Sequence, residues 1–288
     1  MSFKDLLKEK LKDKLSKEDL GLLPSGFQAV GDIAILNLNS QLLKYKKEIA
    51  KATQELFPRF ETICNKTGEI KGTYREPQIE VLLGNETEAI NKESGCLFKF
   101  DVTKIMFAKG NQSEKRRIAS LVKPGETIVD MFAGIGYFTL PMAKLAKPKI
   151  IYSIELNPVA FQYLNENLKL NKITNVKTIN GNSNVEVPKL IDQGIRADRV
   201  MMGYLPEPKE FLEQAVKIVK DSGMIHYECV VNEKEHDKSV KEIELRLRTV
   251  AEKLNKGIKI LKINKVKDYA PHLSHCTFDV QVFSATQQ

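Results

Sequence analysis

Thr127-Ile128-Val129-Asp130-Met131-Phe132-Ala133-Gly134-Ile135-Gly136 decides the fold. The apolar, β-branched first half predicts a strand, and the Gly-x-Gly that follows predicts a tight turn into a helix starting near Tyr137. Glycine lets the backbone turn sharply and approach a ligand closely. The third glycine of the full dinucleotide fingerprint is missing. Many strand-to-helix turns carry glycine on steric grounds alone, so the loop by itself does not define a site. Three neighbours add to it. Asp130 ends the strand, where a carboxylate can accept a hydrogen bond from an ammonium group. Glu155 ends the next strand, where an acid can bind both hydroxyls of a ribose. Asn182-Ser183 follows the third strand, where a polar side chain can meet an adenine amino group. All three lie at carboxyl ends of strands, where open α/β sheets bind ligands.

Outward from this segment, strands and helices alternate. Strands are predicted at 127–132, 150–155, 176–180, 199–204, 223–230, 258–266 and 276–282. Helices are predicted at 136–146, 158–170, 208–219 and 233–254. Such alternation implies a parallel sheet covered on both faces. The last two strands have no helix between them, so an antiparallel final pair is expected, turning near Ala270-Pro271. Asn255-Lys256-Gly257 reads as the C-cap of the long helix. Toward the N-terminus, Leu6, Leu7, Leu11 and Leu15 set a short amphipathic helix in 1–22 that breaks at Pro24. Residues 23–100 read as a small α+β domain: a strand at 33–36, a helix at 44–56, a loop-like stretch at 65–74, and strands at 79–83 and 97–101. The fold expected is thus a doubly wound, Rossmann-like α/β domain over 101–288, with a small N-terminal α+β domain before it.

The chain has 288 residues and a net charge of +8, with four widely spaced cysteines and no tryptophan. No apolar run reaches the roughly 18 residues of a membrane span. The N-terminus lacks the apolar block of a secretory signal, so a cytoplasmic protein with no membrane partner is expected. No Cys-x-x-Cys occurs, which argues against a zinc ribbon or disulfide scaffold. His272-x-x-His275-Cys276 lacks a clear fourth ligand, and no metal is expected. The basic balance favours a polyanionic partner. The Lys and Arg residues at 44, 46, 47, 51, 59, 66, 71 and 75 enrich the small domain; each alone reads as a solvated surface residue. Few aromatics make a broad base-stacking platform unsuitable.

The loop, Asp130, Glu155 and Asn182-Ser183 together resemble the class I S-adenosylmethionine-dependent methyltransferases. The resemblance narrows further along the chain. Phe100-Asp101-Val102-Thr103-Lys104-Ile105-Met106-Phe107, then Gly110-Asn111-x-x-Glu114-Lys115-Arg116-Arg117, is similar to a block shared by two tRNA enzymes. One is the tRNA (guanine-37) nitrogen-1 methyltransferase. The other is the wyosine-pathway aminocarboxypropyltransferase, which acts on the same nucleotide after it has become 4-demethylwyosine. Asp198-Arg199-Val200-Met201-Met202-Gly203-Tyr204, Ile225-His226-Tyr227 and Lys267-Asp268-Tyr269-Ala270-Pro271 carry the similarity onward, from about Leu23 over almost the whole chain. The resemblance implies S-adenosyl-L-methionine as co-substrate, held by Phe107, Ala108, Lys115, Asp130, Phe132, Ala133, Gly134, Gly136, Glu155, Leu156, Asn182, Ser183, Gly203 and Tyr204. It implies the anticodon arm of tRNA(Phe) as partner, and a monomer.

Two positions separate the siblings. The methyltransferase pattern has Asn-Leu-Pro after the fourth strand, with the Asn orienting the guanine; here Gly203 stands in its place. It also has Pro-Arg in the upstream block, where this chain has Gly110-Asn111. Both departures match the aminocarboxypropyltransferase. A third runs the other way: Ala108 and Lys115 replace a Ser and an Arg. A lysine offers a point charge, not a bidentate fork, which leaves Arg116 or Arg117 as alternatives for a cofactor carboxylate. The expected reaction is attack by carbon 7 of 4-demethylwyosine on the γ carbon of the methionyl arm, releasing methylthioadenosine. No catalytic base is assigned; His226 and Tyr227 read equally as site residues or as sheet-end packing. The alternatives are the nitrogen-1 methyltransferase and a non-catalytic RNA-binding protein of the same fold.

Overall fold

The computed structural model describes residues 1–107 and 109–285. The chain divides into two compact units, one of 1–92 with 97–107, the other of 93–96 with the residues from 108 onward.

The first unit starts with helices α1 (Phe3–Leu11) and α2 (Lys17–Gly21), followed by strands β1 (Gln28–Val30) and β2 (Ile33–Leu36), helix α3 (Lys46–Leu56), and strands β3 (Thr62–Lys71) and β4 (Glu76–Leu83). A four-stranded sheet runs in the order β1-β2-β3-β4. Strands β5 (Glu88–Glu93) and β6 (Cys96–Asp101) form a separate two-stranded sheet. Ser2 caps α1 by accepting from Asp5 N, and the Asp5 carboxylate accepts from Ser2 N in return; this reciprocal box satisfies two of the donors a helix start leaves open. Leu7, Leu11 and Leu15 then enter one core with Leu36, Ile49, Phe60 and Ile63. The N-terminal helices are therefore part of the small domain and not a separate segment, because their apolar stripe is buried in its core. The stretch at 65–74 expected as a loop is largely strand: β3 continues to Lys71, paired with β4 through register shifts at Lys66/Gly68 and Gly68/Lys71. Those irregularities hide the period-2 pattern on which the loop reading rested.

The second unit contains α4 (Gln112–Leu121), β7 (Thr127–Asp130), α5 (Thr139–Ala146), β8 (Ile150–Glu155), α6 (Pro158–Leu170), β9 (Val176–Asn180), α7 (Ser183–Asp192), β10 (Ala197–Met202), α8 (Leu212–Ile218), β11 (Val219–Asn232), α9 (His236–Lys253), β12 (Lys256–Ala270) and β13 (Leu273–Ser284). The sheet order is β12-β13-β11-β10-β7-β8-β9. Strands β7 to β11 are parallel, while β13 runs antiparallel to both β11 and β12. The expected final hairpin is present, and α9 ends at the C-cap Leu254 with Asn255 following at φ +54, where the sequence places the end of the helix.

The two faces of the sheet differ in character. On one, Val129, Met202, Tyr227, Phe278 and Val280 pack against α7, α8 and α9. On the other, Ile128, Ile151 and Met201 pack against α4 and α5. Register extends this second face from Met201 to His226, and from there to Asp279. It becomes polar as it goes.

A candidate nucleoside-binding loop and a buried polar face

Strand β7 delivers Asp130 to the sheet's carboxyl edge, and the chain turns through Gly134 and Gly136 into α5. Both glycines have positive φ, +56 and +100, a region costly for residues with a side chain. A Cβ on Gly136 would lie 1.7 Å from Leu140 Cδ1 and 3.2 Å from Leu164 Cδ1, so a side chain there would force these leucines to move. Glu155, at the end of β8, braces the loop. Its Oε2 accepts from Gly134 N at 2.7 Å, and its Oε1 from Asn157 N at 2.7 Å. Burial raises the Glu155 carboxyl above the ordinary range, opposed by the backbone N–H groups of Asn157, Gly134 and Leu156. Leu156 next to it is 39% exposed. A carboxylate held at a strand end beside an open apolar side chain suits a ribose and the ring attached to it. Ala133 is buried within the turn, its N–H donating to Ile154 O at 2.9 Å.

Three residues expected to touch the cofactor are occupied otherwise. Asp130 is 0% exposed. Its Oδ2 accepts from Thr139 Oγ1 at 2.7 Å and its Oδ1 from Phe132 N at 3.3 Å; it shapes the loop from beneath. Burial pushes this carboxyl up to about 7 against those hydrogen bonds. Ser183 is buried, and its hydroxyl donates to Met131 O at 2.5 Å, tying α7 to the end of β7. Lys115 is 2% exposed, its ammonium 2.8 Å from Glu93 Oε1 and 5.1 Å above the Tyr137 ring. Burial lowers its pKa, opposed by Glu93. Of the alternatives, Arg116 donates to Ser94 Oγ at 3.2 Å, and Arg117 forks onto Glu114 and Asp279.

The remaining candidates are placed as follows. Asn182 is exposed and caps α7, its Oδ1 accepting from Asn184 N at 2.9 Å. Phe132 packs on Tyr204 and Phe211 with ring centroids 5.2 and 4.9 Å apart. Gly203 directly follows β10, and a Cβ there would meet Phe138 Cε2 at 3.2 Å. Phe107 belongs to the first unit, stacked on Phe100 at 4.7 Å. Ala108 lies outside the described residues.

His226 and Tyr227 lie inside β11, fully buried, and not at the sheet's end. His226 Nδ1 is 2.7 Å from Asp279 Oδ1, and its Nε2 is 2.5 Å from Arg199 Nη1. Because arginine can only donate, Nε2 accepts, Nδ1 carries the proton, and the ring is neutral. Burial lowers the His226 pKa, opposed by the hydrogen bond to Asp279. The network extends through Arg199 to Glu126 at 2.9 Å and through Asp279 to Arg117 at 2.6 Å. From Arg117 it reaches Glu114, which also accepts from Asn264 Nδ2 at 2.6 Å. This is the polar half of the face under α4, and the sequence reading missed it. Tyr227 points to the opposite face, donating to Glu207 Oε1 at 3.0 Å.

The sheet order and the braced glycine loop define the class I methyltransferase fold. Comparison with known proteins narrows this. The profile described as the TRM5/TYW2 methyltransferase domain matches residues 89–260, and the TYW2 N-terminal domain matches residues 7–87. A Methanocaldococcus jannaschii protein named tRNA(Phe) (4-demethylwyosine(37)-C(7)) aminocarboxypropyltransferase is 42% identical over 260 residues, covering 88% of this chain and 97% of that one. The crystal structure of P. horikoshii TYW2 in complex with MeSAdo superposes with a TM-score of 0.82 at 33% identity, covering 98% and 99% of the two chains. The tRNA (guanine(37)-N(1))-methyltransferase Trm5b of Pyrococcus abyssi is 34% identical over 261 residues, covering 90% of this chain and 76% of that one. The chain belongs to the TRM5/TYW2 family.

Proposed function

We propose that the chain transfers the 3-amino-3-carboxypropyl group of S-adenosylmethionine to carbon 7 of 4-demethylwyosine at position 37 of tRNA(Phe), releasing methylthioadenosine. The observation that carries this reading is Gly203. At the end of β10, where the methyltransferase pattern places a base-orienting Asn, this chain has no side chain, and a Cβ would press on Phe138 at 3.2 Å. The 42% identical relative bears the name of this activity.

The co-substrate supplies a sulfonium whose carbons are open to attack. A bond forms from ring carbon 7 to the γ carbon of the methionyl arm, and the carbon–sulfur bond breaks. Its electron pair returns to sulfur, and the ring carbon loses its proton. The chain's part is mainly positioning, which can supply up to about 7–11 kcal/mol of a barrier. Glu155 accepts from the ribose hydroxyls, Gly134 and Gly136 admit the ligand to the backbone, and Leu156 lies against the adenine. Phe132 and Tyr204 wall the loop. Asp130 keeps the loop's shape without touching the ligand.

For the RNA, Lys47, Lys51 and Lys71 of the first unit are exposed and have no acidic partner within salt-bridge distance among the described residues. They would contact phosphates of the anticodon arm, which positions the RNA without reading its sequence. Lys44, Lys46 and Lys66 are paired with Asp19, Glu80 and Glu69 and contribute less. The protein would act as a monomer in the cytoplasm; among the described residues no helix is long and apolar enough to cross a membrane. The test is chromatography of the nucleoside by-product after turnover on tRNA(Phe) bearing 4-demethylwyosine. Methylthioadenosine is expected; S-adenosylhomocysteine would overturn the reading.

A further inference from the structure

The polar face under α4 continues beyond His226 to the carboxyl edge of the sheet, and there it is left incomplete. Glu228 lies two residues past His226 on β11, on the same face, and pairs in register with Thr277. Glu228 is 2% exposed and Thr277 is 0% exposed, yet Glu228 Oε1 and Thr277 Oγ1 have no hydrogen-bond partner among the described residues. His275 Nε2 is 3.3 Å from Glu228 Oε2 but makes no aligned hydrogen bond, and its Nδ1 is also unpartnered. Buried groups of this kind are normally satisfied, and a carboxylate left partly unpaired costs far more than a neutral group. A ligand that completes the set resolves the deficit.

A cation stands beside it. Lys267 of β12 pairs in register with His275, so it sits directly across the hairpin from the residue that touches Glu228, at about 5 Å between Cβ atoms. Its side chain runs over Gly110, where an added Cβ would lie 2.9 Å from Lys267 Cδ and 3.3 Å from its Nζ. No carboxylate lies within salt-bridge distance of Lys267 among the described residues. Burial lowers its pKa, Glu228 opposes this, and Lys115 adds to it. Glycine at 110 is thus what gives this ammonium its room, at the position where the methyltransferase pattern has Pro-Arg.

A buried carboxylate with one oxygen unpartnered and a half-buried ammonium with no carboxylate partner among the described residues, on the two strands that flank β13, are complementary to an α-amino acid zwitterion. The competing use, Glu228 with His275 as a proton acceptor, leaves Lys267 unexplained. We propose that Glu228 and Lys267 hold the amino-acid end of the methionyl arm, Glu228 taking the α-ammonium and Lys267 the α-carboxylate. This deepens the reading above and rests on it. It also supplies the ammonium acceptor that Asp130, with its oxygens turned inward, does not provide.

The test compares binding of S-adenosylmethionine, decarboxylated S-adenosylmethionine and methylthioadenosine by calorimetry to the full chain and its variants. Methylthioadenosine has no amino-acid end and reports folding of the nucleoside site. Lys267→Met is expected to weaken S-adenosylmethionine on the order of tenfold to a hundredfold, with methylthioadenosine and the decarboxylated compound unchanged. Glu228→Gln is expected to weaken both arm-bearing ligands by a similar factor and leave methylthioadenosine unchanged. Lys267→Arg should recover part of the loss. Equal loss for all three ligands, or no loss for any, overturns the cradle. A wild-type protein that binds S-adenosylmethionine but transfers methyl would overturn the proposed function and leave this comparison intact. A variant that lost the arm's contribution to affinity but still formed methylthioadenosine would confine the cradle to binding.

Discussion

The Glu155 carboxylate accepts the backbone N–H of Gly134 at 2.7 Å, so the acid at the end of β8 and the glycine at the turn after β7 form one unit. The side chain expected to bind a ribose also sets the shape of the loop beneath it. Glu155→Gln removes the charge and one acceptor. It should weaken S-adenosylmethionine and methylthioadenosine by the same factor, about tenfold to a hundredfold. Calorimetric titration of both ligands checks this, and an unequal loss would mean that Glu155 also senses the methionyl arm.

Asp130 gives a pH signature. Its carboxyl is pushed up to about 7 from an ordinary value of 3.8, so between those values the folded state holds a proton that the unfolded state has released. Stability therefore falls as pH rises through this window, by the linkage of proton uptake to folding. Asp130→Asn keeps an acceptor for Phe132 N and removes the titration. Relative to the parent, this variant should gain thermal stability steadily from pH 4 to 7 and no further above it. Melting temperatures across that range check the trend; a constant difference would refute it.

The network around His226 behaves oppositely. Although burial resists the Asp279 charge, the hydrogen bonds from His226 and Arg117 hold this carboxyl well below its usual range. Its contribution is complete above the unfolded pKa and is lost as pH falls through the folded one. Asp279→Ala leaves Arg117 with Glu114 alone and His226 with an unpaired Nδ1–H. A loss of about 3–5 kcal/mol is expected, measured by urea unfolding at neutral pH. A loss below about 1 kcal/mol, as for an exposed pair, would show that the network does not hold α4 to the sheet.

Much of this was legible in the sequence. The strands at 150–155 and 176–180 and the helix at 158–170 are where the strand and helix patterns put them, because strand ends and the Asn157-Pro158 start are marked by local chemistry. Other elements were masked. The stretch from Ser183 to Asp192 forms α7 despite Pro188 inside it. Gln112 to Leu121 forms α4, whose charged residues read as a binding motif because their partners are remote: Arg117 meets Asp279 from 162 positions away. No local pattern joins Arg199, His226 and Asp279; only strand register does. The same holds for Glu228, His275 and Lys267. Asp130 shows the converse limit. Its place at a strand end was readable, but the inward turn of its side chain depends on Thr139 and on the path of the loop.

In the proposed reaction this site moves the aminocarboxypropyl group and leaves the methyl on sulfur. This is tested most directly with two preparations of S-adenosylmethionine, one labelled on the carboxyl carbon and one on the methyl carbon. Each is incubated with the protein and tRNA(Phe) bearing 4-demethylwyosine, and in parallel with unmodified tRNA(Phe). Carboxyl label is expected to enter only the tricyclic RNA, and methyl label to enter neither. Methyl label in the unmodified tRNA would contradict it.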